Sequence, residues 1–156
     1  MAVDIGAEAT ERGALSSADK TLINKEHPAT VAGEITSIDI WAQSDITGLR
    51  VGTFYLTNGN TLKCRDSEAI AGTIAEGSKV NKEVTIAVEI GDYIGCFYTG
   101  GEIFRDSAGY AGLWDSAGEH IDPDDEDDYS FASGDCISLG GYIEEAITFV
   151  PTVMII

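Results

Sequence analysis

The feature that most constrains the fold of this chain is a stretch written twice. Val51-Gly52-Thr53-Phe54-Tyr55 is followed, ten residues after Tyr55, by Arg65-Asp66-Ser67, three intervening positions and Ala71-Gly72. Ile94-Gly95-Cys96-Phe97-Tyr98 is followed, seven residues after Tyr98, by Arg105-Asp106-Ser107, three intervening positions and Ala111-Gly112. Self-similarity is sought before other signals, because missing it can misassign a whole architecture. Both copies read as strand, tight turn, strand. In the first, Asn58-Gly59 separates Val51–Thr57 from Thr61–Asp66. Asn-Gly is a strong hairpin signal, since a type I′ turn needs positive φ at both central residues. In the second copy Gly100-Gly101 takes that place. A duplicated hairpin is the expectation; two similar hairpins shaped by the same constraints is the plainer alternative.

The rest of the chain keeps the same rhythm. Strand-like runs recur near 20–24, 34–42, 49–57, 61–66, 82–90, 93–99, 102–106, 110–115, 129–132, 135–143 and 146–156, separated by Gly, Asp, Ser and Asn. Regular short strands with turn signals between them predict an all-β, antiparallel β-sandwich, jelly-roll-like, in one domain. Ile38, Ile40 and Ala42 fall on one face of their strand, with Ser37, Asp39 and Trp41 on the other. Only 66–72 and 8–18 leave room for a helical turn or two. Residues 1–20 read as an N-terminal arm or lead-in, 21–145 as the sandwich, and 146–156 as an apolar C-terminal strand.

Charge narrows the partners. The net charge is −18, and all nine Lys and Arg lie at or before Arg105. From Asp106 onward there are twelve acidic residues and no basic side chain. Such a surface repels nucleic-acid phosphates and anionic membranes. It suits solubility at high copy number, tolerance of salt, or cation binding.

Cys64, Cys96 and Cys136 each sit in a strand-like run without CxxC spacing, which predicts buried free thiols rather than disulfides or a zinc site. The start, Met1-Ala2-Val3-Asp4, lacks the basic and apolar runs of a signal peptide.

Three sets of residues are candidates for function. The acidic loop supplies Asp122, Asp124, Asp125, Asp127 and Asp128 as oxygen donors for calcium, although EF-hand spacing is absent. A solvated charged loop is the alternative. Trp41, Tyr110 and Trp114 are the aromatic rings available to stack on a sugar, with packing in the core as the plainer reading for the two tryptophans. In the tail, Ile147, Phe149, Val150, Val153, Met154, Ile155 and Ile156 form an uncharged run too short to cross a bilayer. Left exposed, such a run is an aggregation hazard, so its own domain or another protomer must cover it. The two Arg-Asp-Ser sites are expected to pair crosswise, Arg65 with Asp106 and Arg105 with Asp66. The elbow, P-loop, dinucleotide and zincin motifs of common enzymes are missing, so no catalysis and no firm cofactor are expected.

Taken with Asn58-Gly59, Cys64-Arg65-Asp66, Gly91-Asp92-Tyr93-Ile94-Gly95, Gly100-Gly101 and Ser133-Gly134-Asp135-Cys136-Ile137-Ser138-Leu139, the pattern resembles a group of short, glycine-rich β-sandwich proteins. These occur among phage structural genes and environmental sequences. The resemblance covers roughly residues 3–145 and implies a virion surface or appendage component without enzyme activity. Two functions are carried forward. One is a structural subunit, virion-borne or extracellular, whose partners are copies of itself in a fibre or lattice. The other is a lectin-like module for cell-surface glycans, with calcium as a candidate ion and no cofactor certain.

Overall fold

A computed structural model describes residues 2–147, and every named strand pairing in it is antiparallel. The spine is a strand of 15 residues, β4 (Gly33–Thr47). Its alternation does the work: Ile35, Ile38, Ile40 and Ala42 point into the core while Ser37, Asp39 and Trp41 face outward. Ile35 and Ile38 are three apart, not two. A register shift between Ile35 and Ser37, where Thr36 is the extra residue against the neighbouring strand, returns both to one face.

The remaining strands, in chain order, are β1 (Ile5–Gly6), β2 (Ala14–Ser17), β3 (Lys20–Asn24), β5 (Arg50–Asn58), β6 (Thr61–Ala69) and β7 (Lys79–Val88). They continue with β8 (Tyr93–Phe97), β9 (Gly100–Asp106), β10 (Leu113–Ala117), β11 (Glu126–Asp128), β12 (Ser130–Ala132), β13 (Cys136–Ile137) and β14 (Leu139–Glu145). One sheet runs β1-β14-β4-β9-β13, with β7 on β4 and β2 on β9. The other runs β11-β6-β5-β8-β3-β10-β12. The expected antiparallel sandwich is therefore present. Among the described residues there is no helix; 14–17 and 61–69 are strands where a helical turn was allowed.

Two cores result. The larger lies between the sheets, built from Ile35, Ile38, Ile40 and Ile86 on one side and Leu22, Val51, Ile94 and Cys96 on the other. The smaller holds Ile23, Phe54, Leu62, Phe97, Trp114, Ile121 and Tyr129. Its location follows from the second sheet's ends: β11 and β12 are separated in sequence only by Tyr129, so the sheet curls nearly into a barrel and encloses this second core.

The repeat is only half a pair of hairpins. β5 and β6 form a true hairpin, but its two-residue loop is Gly59-Asn60, one position later than expected. Only Gly59 has positive φ there, so the turn is not type I′. The second copy is not a hairpin at all. β8 pairs with β5 and β3, while β9 pairs with β4, β2 and β13. Residues 98–99 carry the chain from one sheet to the other. Tyr98 anchors the crossing, fully buried, its hydroxyl donating to Ser16 O at 2.6 Å and accepting from Ile103 N at 3.2 Å. Gly101 is obligatory because its φ is +87° and a Cβ would fall 2.1 Å from Asp45 O.

Residues read as an N-terminal arm or lead-in are woven into the sandwich from Val3 onward. β1 adds to β14 and β2 to β9. Between them Arg12, with 2% of its side chain exposed, binds Asp106 Oδ2 and the Tyr110 hydroxyl, both at 2.8 Å, and Ser138 Oγ at 2.7 Å.

The outer edge of β7 ends the first sheet in an unusual way. Its backbone N–H groups at Thr85, Ala87 and the following Glu89 donate to the carboxylates of Glu68, Asp66 and Asp92, at 3.0, 2.8 and 3.0 Å. Side chains stand where another strand would otherwise pair.

Candidate binding groove on the outer face of the long strand

Asp39 points away from the core yet is only 3% exposed. Asn81, its partner in register on β7, donates Nδ2–H to Asp39 Oδ1 at 2.9 Å. From β14 on the other side, the Tyr142 hydroxyl donates to Oδ2 at 2.6 Å. That bond, reinforced by burial, pushes the Tyr142 phenol up to about 12, so tyrosine is the donor and aspartate the carboxylate. Around this trio lies a depression of ≈ 590 Å³, walled also by Ala2, Asp4, Ser37 and Lys79. A second, of ≈ 650 Å³, is lined by Thr36, Glu68, Glu83 and Thr85. The two share Ser37 and Asn81 and so adjoin along the face.

Chemically the groove offers a fixed carboxylate, an amide, hydroxyls and an ammonium in one wall. Alternation in 35–42 signalled Asp39 as outward-facing. Lys79, Asn81 and Tyr142 were not singled out, because only strand order brings β7 and β14 to either side of β4.

The three candidate sugar-stacking rings do not converge. Trp41 does lie on this face, half-buried, opposite Lys79, its indole N–H buried without a partner. Tyr110 serves Arg12, whose guanidinium sits 4.8 Å from its ring centre. Trp114 takes the core-packing reading and not the ligand one: 1% exposed, it packs on Tyr93 and Phe131 with ring centres 4.9 and 5.5 Å away. Its N–H donates to Asn60 Oδ1 at 3.0 Å.

The acidic loop covers the curled sheet. Ile121 and Tyr129 plug the second core, and Glu126–Asp128 form the edge strand β11. Asp122 pairs with Arg50 at 2.7 Å, and Glu119 binds the same guanidinium. Asp125 accepts the Asp122 N–H, Asp127 takes the Ser116 hydroxyl and lies 3.3 Å from His120, and Asp128 takes the Thr61 hydroxyl. Asp124 occupies a turn at φ 74°. Among the described residues no three His, Cys, Asp or Glu side chains are grouped to hold a metal ion.

The crosswise ion pairs are also replaced. Arg65 grips Asp92 with Nε–Oδ2 at 2.6 Å and Nη2–Oδ1 at 3.0 Å, and Arg105 grips Asp135. Arg65 and Arg105 lie in different sheets, and the two neighbouring aspartates serve other donors, Asp66 the Ser67 and Ala87 N–H groups and Asp106 the Arg12 guanidinium. Each partner instead follows a positive-φ glycine, Gly91 or Gly134. The recurrence of Gly-Asp-x-Ile at 91–94 and 134–137 was the available signal.

All three thiols are free and buried, as the sequence predicted. Burial pushes Cys64 and Cys96 up to about 12 and Cys136 to about 11. Of the tail residues, Ile147 is 88% exposed; Phe149, Val150, Val153, Met154, Ile155 and Ile156 lie outside the described residues.

Comparison with protein-family models, with curated proteins and with solved structures finds no match.

Proposed function

We propose that this chain is a non-enzymatic structural subunit that assembles with copies of itself, as the component of a virion surface, a tail appendage or an extracellular fibre. The observation that carries the reading is a mismatch at the C-terminus. Among the described residues, the buried core side chains lie between Val3 and Leu139, with Ile143 packed against them, and the sequence continues after β14 with eleven uncharged residues, Ala146 to Ile156. The first large one, Ile147, is 88% exposed. An exposed apolar side chain is stabilised when a neighbour removes it from water, at about 25 cal/mol per Å². A second protomer is the neighbour this reading supplies. The acidic surface agrees with it, because a subunit made in quantity must stay dispersed until it assembles.

The test compares the full chain with one ending at Glu145, by negative-stain electron microscopy and light scattering after size exclusion. The reading expects filaments or defined oligomers for the full chain and a folded monomer for the shortened one. A full chain that remains monomeric at high concentration, or a shortened chain that assembles unchanged, overturns it.

A further inference from the structure

We infer that the groove over β4 is a binding site for a neutral saccharide, with Asp39 as its central acceptor. The inference does not rest on self-assembly and survives if that reading fails. It starts from an expensive arrangement. Asp39 is 97% removed from water on a face of the sheet that packs against no other sheet, and among the described residues no Lys, Arg or His pairs with it. A carboxylate whose partners among the described residues are two neutral donors gains little stability from them, since burying the charge offsets most of what the bonds return. Packing gives no reason to place one here.

Recognition does. Each carboxylate oxygen already accepts one hydrogen bond from a fixed neighbour, Asn81 or Tyr142, which locks the group's orientation. A carboxylate has about four acceptor positions, so lone pairs remain for incoming O–H donors. Two oxygens set side by side suit two hydroxyls on adjacent carbons. Asn81 spends one amide N–H on Asp39; its other N–H and its carbonyl serve a hydroxyl in both directions. Lys79 adds a donor on the same wall.

Charge selects against the other ligand classes. Asp4, Asp39, Glu68 and Glu83 line the two depressions and repel a phosphate or carboxylate ligand, and among the described residues no three His, Cys, Asp or Glu side chains are grouped there to hold a metal ion. A ligand rich in hydroxyls and without charge fits both conditions. The adjoining depressions, ≈ 590 and ≈ 650 Å³, fall within the range of ligand sites and give length for a short oligosaccharide.

The experiment is saturation-transfer difference NMR on the full chain with a neutral panel: methyl glycosides of glucose, galactose, mannose and N-acetylglucosamine, and a printed array of neutral oligosaccharides. Asn81→Ala and Tyr142→Phe are read beside the parent, each first shown by thermal melting to be folded. Asp124→Ser, in the acidic loop, is the control. Binding of at least one neutral glycan, weakened tenfold or more by Asn81→Ala and clearly by Tyr142→Phe but unchanged by Asp124→Ser, is the expected result. No transfer from any member of the panel overturns the inference. So does binding that both groove variants leave intact, or binding that Asp124→Ser abolishes, which would move the site to the loop.

Discussion

Replacing Arg65 by Met tests the pairing of the first Arg-Asp-Ser stretch with Asp92. The guanidinium makes two bonds to Asp92, at 2.6 and 3.0 Å, and lies 4.5 Å from the centre of the Tyr55 ring. Asp92 has only 1% of its side chain exposed, and its one other bond accepts the Glu89 N–H. Methionine keeps the aliphatic stem over Tyr55 and removes the charge, leaving a buried carboxylate with a single backbone donor. Breaking a buried pair from one side costs about 3–5 kcal/mol. Arg65 itself is 31% exposed, so water reaches part of the vacated space and the lower end, about 3 kcal/mol, applies. For a chain of this size that is a loss of roughly 6–12 °C in Tm. Urea unfolding and thermal melting measure it, and a double-mutant cycle locates it. Arg65→Met with Asp92→Asn should be non-additive, whereas Arg65→Met with Asp106→Asn should add to within about 0.5 kcal/mol. A loss below about 1 kcal/mol, or coupling to Asp106 as strong as to Asp92, would refute the pairing and the cost assigned to it.

Two further tests concern the turn glycines and the groove. Gly101→Ala should cost about 3 kcal/mol, because it combines positive φ with a Cβ aimed at the Asp45 carbonyl, while Gly59→Ala meets no atom within 4 Å and should cost about 1 kcal/mol. Chemical denaturation of the two variants decides it, and equal losses would mean the crossing at 98–101 is not as tight as described. Tyr142 should ionise near 12 in an ultraviolet difference titration and fall towards the ordinary value of 10 in Asp39→Asn. Because the folded value is the raised one, its contribution to stability is complete below about pH 10 and is lost as pH climbs through about 12. A tyrosine titration identical in parent and variant would remove the hydrogen bond to Asp39.

The strands were legible because alternation and turn residues are local signals. Lys20–Asn24 matches its expected span, and 34–42 predicted the face on which Asp39 lies. What was not legible is which strand lies beside which. Gly100-Gly101 reads as a hairpin turn as well as Asn58-Gly59 does; the difference is made by Tyr98, whose hydroxyl ties Ser16 to Ile103 across strands far apart in sequence. The same blindness hid the groove, whose walls are 42 and 103 residues from Asp39 along the chain. It also sent Arg65 to the wrong aspartate. Trp114 was open between core and ligand for another reason: it lies beside an acidic loop, and only the folding of that loop over a curled sheet buries it.

The carboxylates along β7 bear on what kind of assembly is open to this chain. Glu68, Asp66 and Asp92 impersonate the carbonyls of an incoming neighbour, so along 85–89 the sheet is already terminated from within. Lateral growth there, strand upon strand, would have to evict three anionic ligands before forming its first new bond. Copies of the protein can therefore crowd against one another at this edge without their sheets merging. Part of the −18 charge thus acts as a seam allowance, sewn down so that the fabric cannot fray into its neighbour.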